Sequence, residues 1–356
     1  MVILHKSLEP IFMHNSFRKS AKIALILVFL VIAAGAIVRM TGSGMGCPDW
    51  PKCFGYYIPP TQSSELEWTP KRVYKKGQVI ILNEALKVAK TDFTSTSKYA
   101  DENWEPYSKH EYAVFNPWHT WIEFINRLFG AIAGLATLVM AFLSFRYWKS
   151  NRAVTIVSIF SVFAMGFQAW LGATVVYSVL EPAKITIHMV MALVIVAMLL
   201  YLIRSTKNRQ VTATRGKGIL GLLILAIVIT LVQIILGTQV RQFVDEQIDT
   251  VGEIAKNLWL KNPTVQFYIH RTFSILVVLL NLFIAFRIYK ENLGLPKIRW
   301  VLGLLALEVI SGIVMYYFNF PFASQPTHLI LATFLFASQF YLVLEAMRMK
   351  RSHKTS

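Results

Sequence analysis

Three histidines, His188, His270 and His328, fall in stretches apolar enough to cross a bilayer, and His119 lies just outside another. An ionisable side chain at membrane depth is expensive, and it persists where it pairs, ligates or moves protons. His270 and His328 each open an apolar stretch on the same side, so their rings can face each other at one depth. Two neutral imidazoles facing each other inside a helical bundle suit a six-coordinate haem that passes electrons. Zinc would want third and fourth Cys, His or carboxylate ligands, which do not accompany the pair.

The chain repeats itself, and the repeat divides the candidate chemistry in two. His188 and His328 are 140 residues apart, as are Gly172 and Gly312, Tyr177 and Tyr317, and Gln168 and Glu308. FINR (124–127) matches YIHR (268–271), and GAIVR (35–39) matches GTQVR (237–241). Each half therefore reads as four helices, 1–210 and 211–356. His270 has Asn126 as its mate, so the first half offers one strong axial ligand, His188. It also carries Glu123, one helical turn before Asn126 and on the same face, where the second half has Phe267. An open coordination position beside a titratable group suits chemistry; a closed bis-histidine position suits electron relay. Glu123 is the candidate catalytic residue, with a helix-end charge as the plainer alternative. Gln168 and Glu308 read as interhelical hydrogen-bonding groups.

The elements that must position these residues follow from composition. The chain has 356 residues, 55% hydrophobic, with mean hydropathy +0.50. Apolar stretches start near residues 23, 128, 153, 185, 219, 272, 300 and 329. Their lengths suit a hydrocarbon core of about 30 Å. The fold class is all-α membrane protein: eight transmembrane helices as two pseudo-repeated four-helix bundles. The net charge of +17 is not a nucleic-acid footprint. With the N-terminus inside, the five cytoplasmic segments hold 20 of the 36 Lys and Arg, while the outer loop 42–121 balances nine against nine Asp and Glu. This positive-inside pattern puts both termini in the cytoplasm. No nucleic acid is expected as a partner; membrane lipid is. Loop 42–121 reads as an ordered outer loop with short helices, since loops of this length usually have a role.

Four arginines, Arg39, Arg127, Arg241 and Arg271, sit at outer helix ends and are repeat mates in pairs. Snorkelling would explain them; so would ion pairs to buried anions such as haem propionates. Arg39 and Arg127 then belong to the first-half site, Arg241 and Arg271 to the second. The two cysteines, Cys47 and Cys53, lie on the outer side, separated by five residues with two prolines, a spacing that can close a disulfide loop but not a CxxC metal clip.

The segment RMTGSGMGCPDWPKCFG (39–55) resembles the signature that follows the first helix of haem A synthases. EFINR (123–127) is similar to that family's Glu-x-x-His-Arg motif, and His188, His270–Arg271 and His328 fall where the family places its other histidines. The resemblance implies oxidation of the ring D methyl of haem O to a formyl group, giving haem A for terminal oxidases. It implies haem b as cofactor in the second half (His270, His328) and substrate haem O in the first (His188, Asn126). It also implies the bacterial inner membrane, an electron donor that the sequence does not name, and haem O synthase as a contact. The departure from the family is Asn126 in place of a histidine. His119 does not replace it: seven residues is about 10 Å along a helix. Two other classes compete. A dihaem, quinol-linked cytochrome b would want four strong axial histidines, and a haem transporter would need neither Glu123 nor a resident haem.

Overall fold

The computed structural model describes residues 3–207, 214–216 and 218–351. The expected boundary at 210/211 and the basic residues Arg209, Lys217 and Lys354 lie outside them. Among the described residues, eight helices are long and apolar enough to cross a membrane. They are α1 (Ile3–Met40), α2 (Pro117–Ser144), α3 (Arg152–Tyr177), α4 (Pro182–Ser205), α5 (Ile219–Val251), α6 (Val265–Lys290), α7 (Ile298–Tyr317) and α8 (Ser324–Ala346).

Several helices begin well before their apolar stretch. Helix α2 starts at Pro117, not near residue 128. Asn116 caps it: its Oδ1 accepts from the amides of Trp118 (2.9 Å) and His119 (3.3 Å). Pro117 supplies a preset φ at the first helical position, where a missing N–H costs nothing. The early start puts His119, Glu123, Asn126 and Arg127 on helix.

The chain divides into two compact units. One comprises Leu30–Ala133 and Gly166–His188, the other Met1–Phe29, Gly134–Met165 and Met189–Ser356. Within the larger, α5 packs on α6 and α8, and α7 on α6 and α8, closing a four-helix bundle. Its aliphatic core lies at one end, where Leu223, Val277, Ile284, Val301 and Leu342 are buried. Towards the other end, the histidine-bearing turns of α6 and α8 carry polar groups inward instead. Burying those groups is tolerable only if each finds a partner, so that end must be read as a site.

The smaller unit corrects the all-α expectation. Residues 41–116 contain five short strands and only single turns of 3-10 helix. Strand β1 (Val73–Tyr74) pairs with β4 (Phe93–Thr94), and β2 (Val79–Leu82), β3 (Ala85–Ala89) and β5 (Trp104–Pro106) form an antiparallel sheet. Asn83 and Glu84, both at positive φ (50° and 59°), make the tight β2–β3 turn, the twist-compatible geometry for a two-residue hairpin. Tyr74, Ile80, Ala89 and Trp104 form one small core; Cys47, Cys53, Phe54, Leu66, Val79 and Leu86 form another. Alternate strand residues feed the two cores because strand side chains alternate faces.

Candidate functional site

In the larger unit, the ring centroids of His270 and His328 are 6.5 Å apart with planes at 73°. A metal–imidazole bond of roughly 2.0–2.1 Å on each side, plus about 1 Å from nitrogen to ring centre, sums to about 6 Å. The pair thus fits one metal ion between two axial imidazoles. The neighbouring helices carry glycine opposite each ring. A Cβ on Gly237 would lie 3.1 Å from Cε1 of His270, and one on Gly312 would lie 3.7 Å from Cε1 of His328. The His270 backbone carbonyl accepts from Gln233 Nε2 (3.1 Å), while its Nδ1 is buried without a partner. His328 differs: Nδ1 meets Ser311 Oγ at 2.7 Å and Glu308 Oε2 at 3.1 Å. Glu308 is thus an interhelical partner, as expected. Arg241 pairs with Asp245 (2.7 Å), one turn on, and Arg271 is exposed and lies over the rings of Phe267 and Tyr268. Imidazole nitrogens, glycine-cleared walls and basic side chains together fit a haem.

The glycine contacts give a graded prediction. Gly237→Ala places a methyl at a separation tighter than ordinary van der Waals contact, so the His270 ring must shift. Haem content per protein should fall about tenfold, the lower range for disturbing the surroundings of a metal ligand. Gly312→Ala meets ordinary contact and should keep its haem. Equal retention in both variants, measured as pyridine haemochrome, would refute this.

In the smaller unit, a Cβ on Gly172 would lie 3.3 Å from Cε1 of His188, and one on Gly35 would lie 3.8 Å from Oδ1 of Asn126. Gln168 Nε2 donates to the His188 carbonyl (3.0 Å) and lies 3.4 Å from the ring Nε2. His188 Nδ1 and Asn126 Oδ1 are both buried and unpartnered. An imidazole with an uncommitted nitrogen fits an axial ligand. An amide oxygen is a weaker donor for iron, which prefers imidazole or thiolate ligands.

Glu123 and Arg127 face the disulfide loop. Glu123 is 4% exposed; its Oε2 accepts from the Cys47 amide (2.8 Å) and its Oε1 from Arg127 Nε (3.1 Å) and Nη2 (2.5 Å). Arg127 Nη1 donates to the carbonyls of Asp49 (2.7 Å) and Lys52 (2.8 Å), and Nη2 to that of Cys47 (3.1 Å). A guanidinium has five N–H donors, and these bonds occupy five. Asp49 accepts from the amides of Phe54 (2.5 Å) and Gly55 (2.8 Å). Burial pushes the Asp49 carboxyl above its ordinary value, against the pull of the Gly55 amide and Arg127. Tyr107 and His110 both reach the Pro48 carbonyl, at 2.8 and 2.9 Å, and Thr120 Oγ1 donates to the Gly46 carbonyl (2.7 Å). A Cβ on Gly46 would overlap the backbone of His119 and Thr120. The segment 46–55 is therefore knotted to the first turns of α2. Arg39 is half-buried in the last turn of α1.

Cys47 and Cys53 form a disulfide, at 0% and 1% exposure. Neither should accept a maleimide label in detergent without reductant; ready labelling of both in folded, unreduced protein would contradict this. Asp49, Gly46, Asn116 and Ser311 escaped the sequence reading. Asn116–Pro117 is a helix-start signal, and Ser311 sits three residues after Glu308 on the same face, so both were readable. The partners of Asp49 are backbone amides, which no residue pattern announces.

The sequence profile of the family described as "Cytochrome oxidase assembly protein" matches residues 19–95 and 76–340. The chain is 24% identical over 335 residues to the heme A synthase of Shewanella oneidensis, covering 86% of this chain and 89% of that one. It is 23% identical over 354 residues to that of Shouchella clausii (95% and 99%), and 27% identical over 319 to that of Bradyrhizobium diazoefficiens (81% and 79%). With eight helices long and apolar enough to span a membrane among its described residues, and matched by that profile over most of its length, the chain belongs to the haem A synthase family of cytochrome oxidase assembly proteins.

Proposed function

We propose that this protein is a haem A synthase, converting the ring D methyl of haem O to a formyl group, with haem b as its resident cofactor. The observation that carries the reading is the His270–His328 pair, 6.5 Å between ring centres with a glycine against each ring. When bound there, haem b supplies one-electron transfer. His270 and His328 would hold its iron, and Arg241 and Arg271 would be the cationic partners of its propionates. Haem O is the substrate of the first half. His188 is its axial ligand, Asn126 lies on the weakly coordinating side, and Arg39 is the cationic group at that helix end. Arg127 reaches a propionate only by giving up one of its present bonds. The family name and the eight apolar helices support haem A biosynthesis in a membrane.

The finer architecture belongs to the same proposal. The halves 1–210 and 211–356 are pseudo-repeats, with both termini in the cytoplasm of a bacterial inner membrane. Four residue pairs support the repeat: Asn126 with Gly35, His188 with Gly172, His270 with Gly237 and His328 with Gly312. Each candidate axial position thus has a glycine at the corresponding place on a neighbouring helix. Haem O synthase as a delivering partner, and an electron donor of unassigned identity, complete the reading.

Glu123 has two readings at this site. In the first it handles protons at the reacting methyl carbon. In the second, supported by its bonds to Cys47 and Arg127, it fixes the loop against the helix that carries Asn126. The proposal as a whole is tested by feeding haem O to purified protein and identifying product by chromatography and mass. Haem A at more than background is expected; a pigment with haem b and no turnover would favour an electron carrier.

A further inference from the structure

The three intramembrane histidines are not equivalent beyond the metal-binding nitrogen. The Ser311 hydroxyl donates to the backbone carbonyl of Glu308 at 2.9 Å, which spends its single proton. Its Oγ lies 2.7 Å from His328 Nδ1, and Glu308 Oε2 lies 3.1 Å from the same nitrogen. With Nε2 given to the metal, as the axial assignment has it, Nδ1 keeps its proton and both oxygens accept from it. The Glu308 side chain is 12% exposed, and its Oε2 faces His328 Nδ1. The first half lacks both groups. Gln168 stands at the place of Glu308 and Leu171 at that of Ser311, and His188 Nδ1 has no partner. His270 has a buried, unpartnered Nδ1 as well.

We propose that Glu308 is a positioning and redox-tuning residue for the second-half haem, acting through His328, with Ser311 fixing the tautomer. This rests on His270 and His328 as the axial pair. A carboxylate on the far nitrogen of a ligating imidazole fixes the ring and raises its basicity. A more basic axial ligand stabilises the oxidised metal over the reduced one, and hydrogen bonding around the ligand is one of the protein's levers on potential. The device would hold the relay haem at a lower potential than two neutral-partnered histidines would. The first half, with Gln168, has no such setting.

The test is a spectroelectrochemical titration of the purified, haem-loaded protein. Glu308→Gln keeps size and an acceptor oxygen while removing the charge. The low-spin spectrum should persist and the midpoint potential should rise by about one tenfold step in relative affinity for the two oxidation states, about 59 mV for one electron. Ser311→Ala should leave the potential unchanged or lower it, because Nδ1–H then turns fully to Glu308. A merely structural role would move both variants together. If Glu308→Gln binds no haem, Glu308→Asp, whose carboxylate is one methylene further back, is expected to raise the potential instead. An unchanged potential in a haem-loaded Glu308 variant, or equal shifts in the Glu308 and Ser311 variants, would overturn the proposal. Failure of the axial assignment is separately visible: wild-type protein would then show no bis-histidine spectrum at all.

Discussion

Replacing either His270 or His328 by alanine should abolish the low-spin bis-histidine spectrum of the purified protein. The two rings oppose each other 6.5 Å apart, a separation one metal fills with two bonds. Each single variant leaves an open coordination position, so a haem that stays bound must turn high-spin or recruit another ligand. The alternatives nearby are poor: Gln233 is held by a backbone carbonyl, and Glu308 offers only a carboxylate, a weaker ligand for haem iron than imidazole. Haem content should drop along with the spectrum, because two axial bonds inside a low-dielectric bundle hold the group in place. Persistence of the low-spin bands in both single variants would remove the pair from the metal site. By contrast, His188→Ala should leave those bands intact while haem A formation stops, since His188 is assigned to the substrate. This contrast also separates the enzyme from a dihaem cytochrome, in which every axial histidine would contribute to the resting spectrum.

Much of this arrangement was legible in the sequence, for a physical reason. Span number follows from backbone hydrogen bonding in lipid, which leaves hydropathy as a direct readout. The axial candidates were legible because histidine at membrane depth is rare and because the repeat sets His328 beside His188 and His270 beside Asn126. The glycines opposite them were visible too, as repeat mates, although their closeness to the rings was not. Helix starts were less legible. Polar turns such as 117–127 lower the hydropathy of α2, while Asn116 and Pro117 fix its beginning through a cap. The outer module, expected as an ordered loop with short helices, holds five short strands and three single 3-10 turns joined by irregular backbone. Its strands run two to five residues, too short for periodicity to declare, although Val79–Leu82 followed by Asn83 carried a hairpin signal. The knot around Asp49, Glu123 and Arg127 was hidden altogether. Its acceptors and donors are mainly the main chain of 46–55, and backbone groups carry no residue identity.

That knot bears on the second large effect. Glu123→Gln should lower haem A formation by at least about 10²-fold while the second-half low-spin spectrum persists, as expected for losing general acid–base assistance. The substitution is nearly isosteric, and the amide oxygen can still accept from the Cys47 amide. What it loses is the ion pair with Arg127, at 15% and 5% side-chain exposure. Breaking a buried pair by removing one partner typically costs about 3–5 kcal/mol, because the remaining charge is left uncompensated. Arg127, though, keeps three backbone carbonyls. The loop should then stay folded, and a residue that handles protons would lose activity without loosening it. Arg127→Ala supplies the other arm. It removes the bonds to Cys47, Asp49 and Lys52 at once, so the segment 46–55 should become sensitive to protease while Glu123 retains the Cys47 amide. If activity falls in step with protease sensitivity across both variants, Glu123 acts by positioning. If Glu123→Gln is inactive with a protected loop, it acts on protons at the substrate, and a partly oxidised haem should accumulate. Normal haem A production by Glu123→Gln would defeat both readings and leave Glu123 as a charge at a helix end.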